Sequence, residues 1–354
     1  MFELTRGNLL SADAEALVNT VNCVGVMGKG IALQFKQAFP QNFRAYEQAC
    51  RRKEMRPGRM LVVPTMGIGN PKYIINFPTK GHWKRKSRLE YIDAGLDALV
   101  DEVQHLGIQS IAVPPLGCGN GGLDWREVEP RIRAAFDRIP NVRALVFEPE
   151  GAPATDEMAV RTSRPALTGA RALLIRLLAR YREGGYRSSL LEVQKLAYLL
   201  QAAGEPLKLE YVKHKYGPYA ENLNFVLQRL EGHYLRGYGD RSQRAEIRLL
   251  PGAAEVAEAF LVGSEEALER LARVERLIEG FESPYGMELL ATVHWVVSEQ
   301  PSIADDRAGV VELVRAWSER KGELFTPRHI LVAWERLREE GWLPEPTAAA
   351  ARAG

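Results

Sequence analysis

Residues 15–39 read EALVNTVNCVGVMGKGIALQFKQAF, and the fold follows from the order of the signals in them. Glu15 to Asn22 is a short apolar run that ends in polar residues, the pattern of a buried strand. Asn22-Cys-Val-Gly25-Val-Met-Gly28-Lys29-Gly30 is a glycine-rich turn, and Ile31 to Phe39 reads as a helix that Pro40 stops. Strand, glycine loop and helix in this order make an anion cradle. Glycines let main-chain N–H groups face a ligand, and the helix start adds partial positive charge. A second unit repeats the order. Ile108 to Pro114 is a strand, and Pro114-Pro-Leu-Gly117-Cys-Gly119-Asn-Gly121-Gly122 is the loop. Asp124 and Glu127 then open a helix with capping-box spacing. One such loop is as often a plain tight turn; two after strands of one sheet would grip a diphosphate from both sides. Neither has GxxxxGK[ST] or GxGxxG spacing, which disfavours a nucleotide triphosphatase or a Rossmann dehydrogenase.

Working outward, Tyr73-Ile-Ile-Asn-Phe77 and Val142 to Phe147 are further strands. Leu89, Ile92, Leu96, Leu99, Val103 and Leu106 recur at helical spacing, so 87–106 is an amphipathic helix. Strands alternating with helices predict an α/β/α sandwich over residues 1–150, with a parallel or mixed sheet. Residues 151–165, rich in Pro, Ala and small polar residues, read as a linker. Residues 166–345 read as a mainly α-helical domain, with helices near 170–181, 191–204, 220–231, 253–261, 264–280, 285–299, 308–321 and 327–341. Residues 346–354 read as a frayed Ala-rich tail. Two domains suit 354 residues, since domains run to about 100–200.

The composition, 46% apolar and 26% charged, is that of a soluble globular protein. No apolar run approaches the ~20 residues of a membrane span, and MFELTRGNLL is no signal peptide. The expectation is a cytoplasmic protein with no membrane partner. Cys23, Cys50 and Cys118 form no CxxC, which argues against a disulfide framework and a zinc cluster. No metal or cofactor is expected. The net charge of +2 hides an asymmetry: residues 1–150 lean basic, whereas 249–306 are strongly acidic, with Arg270, Arg273 and Arg276 their only Lys or Arg residues.

Gly7-Asn8-Leu9-Leu10, Ala16-Leu-Val-Asn19-Thr-Val-Asn22, Gly28-Lys-Gly30-Ile-Ala and Pro115-Leu-Gly117-Cys-Gly119 together resemble the macrodomain signature, in its usual order and over about 150 residues. The resemblance implies a three-layer α/β/α macrodomain with ADP-ribose across the strand C-termini. The residues it implies for the ligand are Gly7, Asn8, Asn19, Thr20, Val21, Gly30, Ile31, Ala32, Leu33, Gln34, Thr79, Gly117, Cys118, Gly119, Asn120 and Gly121. Asn76-Phe-Pro-Thr79-Lys80 is a finer match. A lysine there is similar to the type that removes terminal ADP-ribose and to DarG-type antitoxins. That implies release of ADP-ribose from ADP-ribosylated thymidine in DNA. A half-buried Lys80 amine has a use near an anomeric carbon, attacking a ring-opened sugar or shuttling a proton. Asn22 would hold the distal ribose hydroxyls or position water. The alternative for Lys80 is an exposed lysine in a basic loop. The terminal hydrolases carry an aspartate shortly after their Gly-Cys-Gly, and here Gly121 stands in its place, which leaves the fate of a lysine adduct open. Asp124 is the nearest acid, as a helix cap or as a substitute.

Behind Lys80 comes Gly-His82-Trp83-Lys84-Arg85-Lys86-Ser-Arg88. A basic run with an aromatic suits a nucleic-acid backbone and an unstacked base, or is a solvated loop; His82, Trp83, Lys84 and Arg85 are the DNA-contact candidates. Cys118 and the histidines 214, 233, 294 and 329 read as packing or surface residues. In the second half, Gln194-Lys-Leu-Ala-Tyr198-Leu-Leu with Lys215-Tyr-Gly217-Pro218-Tyr219 resembles the SocA-like, or Panacea, module over about 170–245. That implies a protein-binding domain whose partner is a DarT-type toxin. The acidic stretch beyond it either imitates nucleic acid or is a solvated surface. Three functions stand: hydrolase with a toxin-binding domain, ADP-ribose reader, or stoichiometric antitoxin.

Overall fold

The computed structural model describes residues 1–67, 69–149, 153–183, 188–241 and 246–344. The 346–354 tail and residues 151–152 of the expected linker lie outside them. The chain divides into two compact units, Met1–Ser163 with Gly239–Gln243, and Arg164–Tyr238 with Arg244–Gly354.

The first unit is built on a six-stranded sheet. Its strands are β1 (Phe2–Thr5), β2 (Ala16–Asn22), β3 (Leu61–Pro64), β4 (Tyr73–Lys80), β5 (Ser110–Val113) and β6 (Arg143–Phe147). Their spatial order is β1-β6-β5-β2-β4-β3. Every neighbouring pair is parallel except β3 with β4. The helices are α1 (Gly30–Ala38), α2 (Pro40–Arg51), α3 (Leu89–His105) and α4 (Trp125–Asp137). Both faces of the sheet are covered, so the strands are apolar on both sides. The period of two sorts them. Ala16, Val18, Ile75, Phe77, Ile111, Val113, Ala144 and Val146 pack with Ile92, Leu96 and Leu99 of α3 and Val128 and Ile132 of α4. Leu17, Ile74, Ala112, Leu145 and Phe147 face the other way and pack with Phe35 of α1. The three layers agree with the sandwich read from the sequence.

Pro40 stops the first helix as expected, and it also opens a second one that was not expected. Helix α1 stops at Ala38, and Pro40 is the first residue of α2, where its missing N–H costs nothing. Strands β1 and β3, four residues each, carry too little pattern to stand out in the sequence.

The second unit holds α5 (Gly169–Glu183), β7 (Ser188–Ser189), α6 (Leu190–Ala202), β8 (Tyr211–His214), β9 (Gly217–Ala220), α7 (Leu223–Leu230), β10 (Leu235–Arg236), β11 (Glu246–Leu249), α8 (Ala253–Leu261), α9 (Glu265–Ile278), α10 (Pro284–Glu299), α11 (Arg307–Arg315), α12 (Glu319–Leu324) and α13 (Pro327–Glu339). The expected 308–321 helix is two helices, because the Ser318 hydroxyl turns back to cap α12 at Lys321 N (3.3 Å). Gln194 of α6 bonds both main-chain groups of Ala220 (2.9 and 3.0 Å). The buried Lys195 amine donates to Pro218 O at 2.6 Å. The two sequence motifs of this half therefore meet where α6 grips the β8–β9 hairpin.

Gly95 sets how closely α3 lies on the sheet. A Cβ there would sit 2.1 Å from Cζ of Phe77, a ring with no exposed surface. Gly95→Ala should therefore lower the stability of the first unit by about 1–3 kcal/mol. A urea melt followed by circular dichroism measures it, and an unchanged midpoint would contradict the packing.

Candidate functional site

Strands β2 and β4 run in register from Ala16 and Tyr73 to Val21 and Pro78. An irregularity between Val21 and Asn22 then sets Asn22 beside Lys80. A break in the ladder at a strand end re-aims the side chains there. Both residues stand where the parallel strands end and the loops begin, the usual place for ligands in an open α/β sheet.

The first loop is tied to Asn22. Its Oδ1 accepts from Val24 N (3.0 Å), and its Nδ2 donates to Val26 O (2.5 Å). The buried Tyr46 hydroxyl donates to Asn22 O at 2.8 Å. Asn22 thus shapes the loop with its own amide. The loop ends at Gly30, whose φ of +61° suits a residue without a Cβ. The second loop turns through Gly117 (φ +73°) and Gly122 (φ +77°). It is closed by Leu123 N on Gly117 O (3.1 Å) and by Ser87 N on Gly121 O (3.0 Å). The loops meet: a Cβ on Gly30 would lie 2.9 Å from Asn120 Nδ2. Between them the Lys80 ammonium donates to Asn120 O at 3.0 Å. Burial alone lowers the Lys80 pKa from its ordinary value, raising its share of neutral amine near neutral pH.

The expected aspartate does not fit at position 121. A Cβ at Gly121 would lie 2.3 Å from both Gly117 O and Ser87 Oγ. Asp124 accepts from Arg126 N (2.9 Å) as the cap of α4 and pairs with the Arg126 guanidinium (2.7 Å), so its carboxylate serves the helix. The Cys118 thiol is pushed up to about 11, mainly by burial, with the Asp124 charge adding to it, and stays protonated.

Other sequence candidates fall in different places. Asn19 and Leu33 have no exposed surface and so offer none to a ligand. Asn19 bonds Asn76 (3.0 Å), which bonds Asn42 (2.6 Å), and this amide network joins β2, β4 and α2 beneath the site. Asn8 caps the turn after β1 through Leu10 N (3.0 Å). Gly7 is exposed, Thr20, Ile31 and Ala32 are half-buried, and Val21 and Thr79 are buried. Ser87 escaped the sequence reading: it is buried under the second loop with no hydrogen-bond partner for its Oγ. The one signal in the sequence was a small polar residue set inside the basic run, between Lys86 and Arg88. Beyond Lys80, the His82 and Trp83 rings stack at 5.6 Å, and the Lys84 amine stands 5.1 Å from the Trp83 ring. Trp83 is 49% exposed. A cleft of about 610 Å³ lies at the other end of β4, against Lys36, Phe39, Arg44 and Arg161, and includes neither glycine loop.

The chain is similar to known proteins in the same terms. The family described as Macro domain matches residues 18–132. The Thermus aquaticus protein named DNA ADP-ribosyl glycohydrolase is 48% identical over 343 residues, which cover 97% of this chain and 94% of that one. A Thermosipho africanus protein named DNA ADP-ribosyl transferase-DNA ADP-ribosyl glycohydrolase fusion protein is 34% identical over 142 residues, 36% of this chain and 37% of its own. The solved macrodomain of Mycobacterium tuberculosis DarG is 58% identical, with a TM-score of 0.42, over 42% of this chain and 99% of that one.

Gly121→Ala is expected to weaken ADP-ribose binding by about tenfold or more while circular dichroism stays unchanged. Titration calorimetry reads this directly. Unaltered affinity would mean that the second loop does not hold the ligand.

Proposed function

The chain belongs to the DNA ADP-ribosyl glycohydrolase family, and on that premise we propose that its first unit removes ADP-ribose from ADP-ribosylated thymidine in DNA. The observation that carries the reading is the Lys80 amine, half-buried and held at Asn120 O where the two glycine loops meet. The amides of both loops and the start of α1 bind the diphosphate. Asn22 keeps the first loop in shape beside Lys80. The lysine acts at the anomeric carbon, as nucleophile on the ring-opened sugar or as the group that moves a proton, and both roles use the neutral amine. The glycosidic bond to the base breaks, the base takes a proton, and water supplies the hydroxyl on the released ADP-ribose. A reader of ADP-ribose would gain nothing from a desolvated lysine at this point. The stacked His82–Trp83 pair with Lys84 and Arg85 offers a surface for a base and the phosphates of the strand. Such a substrate belongs to the cytoplasm.

The second unit is the toxin-binding domain in this reading, neutralising a DarT-type ADP-ribosyltransferase. The Thermosipho africanus fusion supports a transferase as the partner. Val212, Phe225 and Val262, each more than half exposed, supply apolar surface for a protein partner.

Wild type is expected to release ADP-ribose from thymidine-ADP-ribosylated single-stranded DNA, and Lys80→Ala to lose about 100-fold or more of that rate. Equal rates would remove Lys80 from the mechanism. A wild type that binds ADP-ribose without releasing it would make the chain a reader. The wild-type rate should rise with pH as the amine loses its proton. It should level off below the ordinary lysine pKa, because burial lowers it; a rate falling through this range would contradict the neutral amine. Lys84→Ala with Arg85→Ala should raise KM and flatten the dependence of KM on salt, by about one unit of log–log slope for each phosphate that the pair neutralises. Mixed with a purified DarT-type toxin, the full chain should elute as a complex in size-exclusion chromatography. Separate elution would end the partner claim.

A further inference from the structure

Residues Gly239–Arg241 belong to the first unit, although Tyr238 before them belongs to the second. Their seat is specific. Gly239 has φ +56°, and a Cβ there would lie 2.7 Å from Thr155 Cγ2. Asp240 is 3% exposed and makes two bonds to α1. Its main-chain oxygen accepts from Gly30 N at 2.7 Å. Its carboxylate accepts from Nε2 of the buried Gln34, also at 2.7 Å. A helix start leaves its first amides without intrahelical acceptors, and Lys29, the residue before α1, gives no side-chain cap. Asp240 supplies that cap from more than two hundred residues away.

The place matters because of what Gly30 touches. Gly30 abuts the Asn120 side chain, and Asn120 O holds the Lys80 ammonium. A shift of the α1 start would carry the first loop away from the second and loosen the acceptor of the lysine. The Gly30 amide is spent on Asp240, so the next amides of α1, those of Ile31 and Ala32, remain to face an anion. The Asp240 carboxylate is turned to Gln34, one helical turn further along α1.

We propose that Asp240 is a positioning residue of the ADP-ribose site: it fixes the start of α1 and, through Gly30, the meeting of the two glycine loops around Lys80. The site is then completed from the second half of the sequence. This rests on the glycohydrolase reading above, and the test separates the two.

The experiment uses the full chain and compares wild type, Asp240→Ala and Asp240→Asn. ADP-ribose affinity is measured by titration calorimetry, and KM and kcat on ADP-ribosylated single-stranded DNA. Asp240→Ala should raise both the ADP-ribose Kd and KM by about tenfold, with kcat changed by less than about twofold. Asparagine keeps an oxygen for Gln34, so Asp240→Asn should stay within about twofold of wild type. Hydrogen exchange at the amides of residues 30–33 should speed up in Asp240→Ala and not in Asp240→Asn, a readout that a general loss of stability would not confine to α1. If wild type binds ADP-ribose and Asp240→Ala binds it as well or more tightly, this proposal is wrong and the function stands. If wild type neither binds nor cuts, both fall. Should Asp240→Ala fail to fold, Gly239→Ala, which drives the segment off Thr155, must give the same rise in Kd.

Discussion

Everything at the proposed site hangs on the parallel ladder between β2 and β4. Six residues of each strand pair in step, and the break at Val21 and Asn22 then brings Asn22 and Lys80 side by side at the strand ends. Both strands are apolar on both faces, because α1 and α2 cover one side and α3 and α4 the other. A slip of one residue would turn every buried side chain to the wrong layer, so the register is strongly held. The Asn19–Asn76–Asn42 amides lock it further, since they bond one another where water does not reach. The position of the Lys80 amine is therefore set by the core rather than by a mobile loop.

The two glycine loops solve different problems on that frame. The first needs a helix start open to an anion, and Asn22 and Tyr46 hold its turn from beneath. The second must pass close over Ser87, and that closeness forbids a side chain at position 121. Position 121 is thus closed to an aspartate by the packing of the loop on Ser87. Desolvation of Lys80 and the exposed cations beyond it are likewise distinct: burial favours the neutral amine that the proposed reaction uses, while in the same proposal the solvated charges would draw a phosphate backbone without needing depth.

What could be read from residues alone was whatever had a period or a spacing. The strand read at 15–22, the helix read at 87–106 and both glycine loops belong there; Lys80 does not, since a resemblance rather than a pattern brought it forward. What could not be read depends on contacts far apart in sequence. Pro40 marks the end of one helix in the sequence, but nothing beside it shows that it also opens the next. Asn19 sits in the motif run yet faces the core, because alternation along β2 decides its side and the motif does not. The four-residue strands β1, β3, β8, β9 and β11 are too short to show alternation. Asp240 carries no local sign of its role, since its partners Gly30 and Gln34 lie in the other half of the chain.

The central claim is that the two loops hold the diphosphate and bring the anomeric carbon to Lys80. A crystal structure of the Lys80→Ala chain with an ADP-ribosylated thymidine oligonucleotide tests it most directly. The account predicts the diphosphate against the amides of the first loop and of Ile31 to Leu33, and against those of residues 117–121, with the anomeric carbon over position 80. A diphosphate seated elsewhere, such as in the cleft at the start of β4, would contradict it.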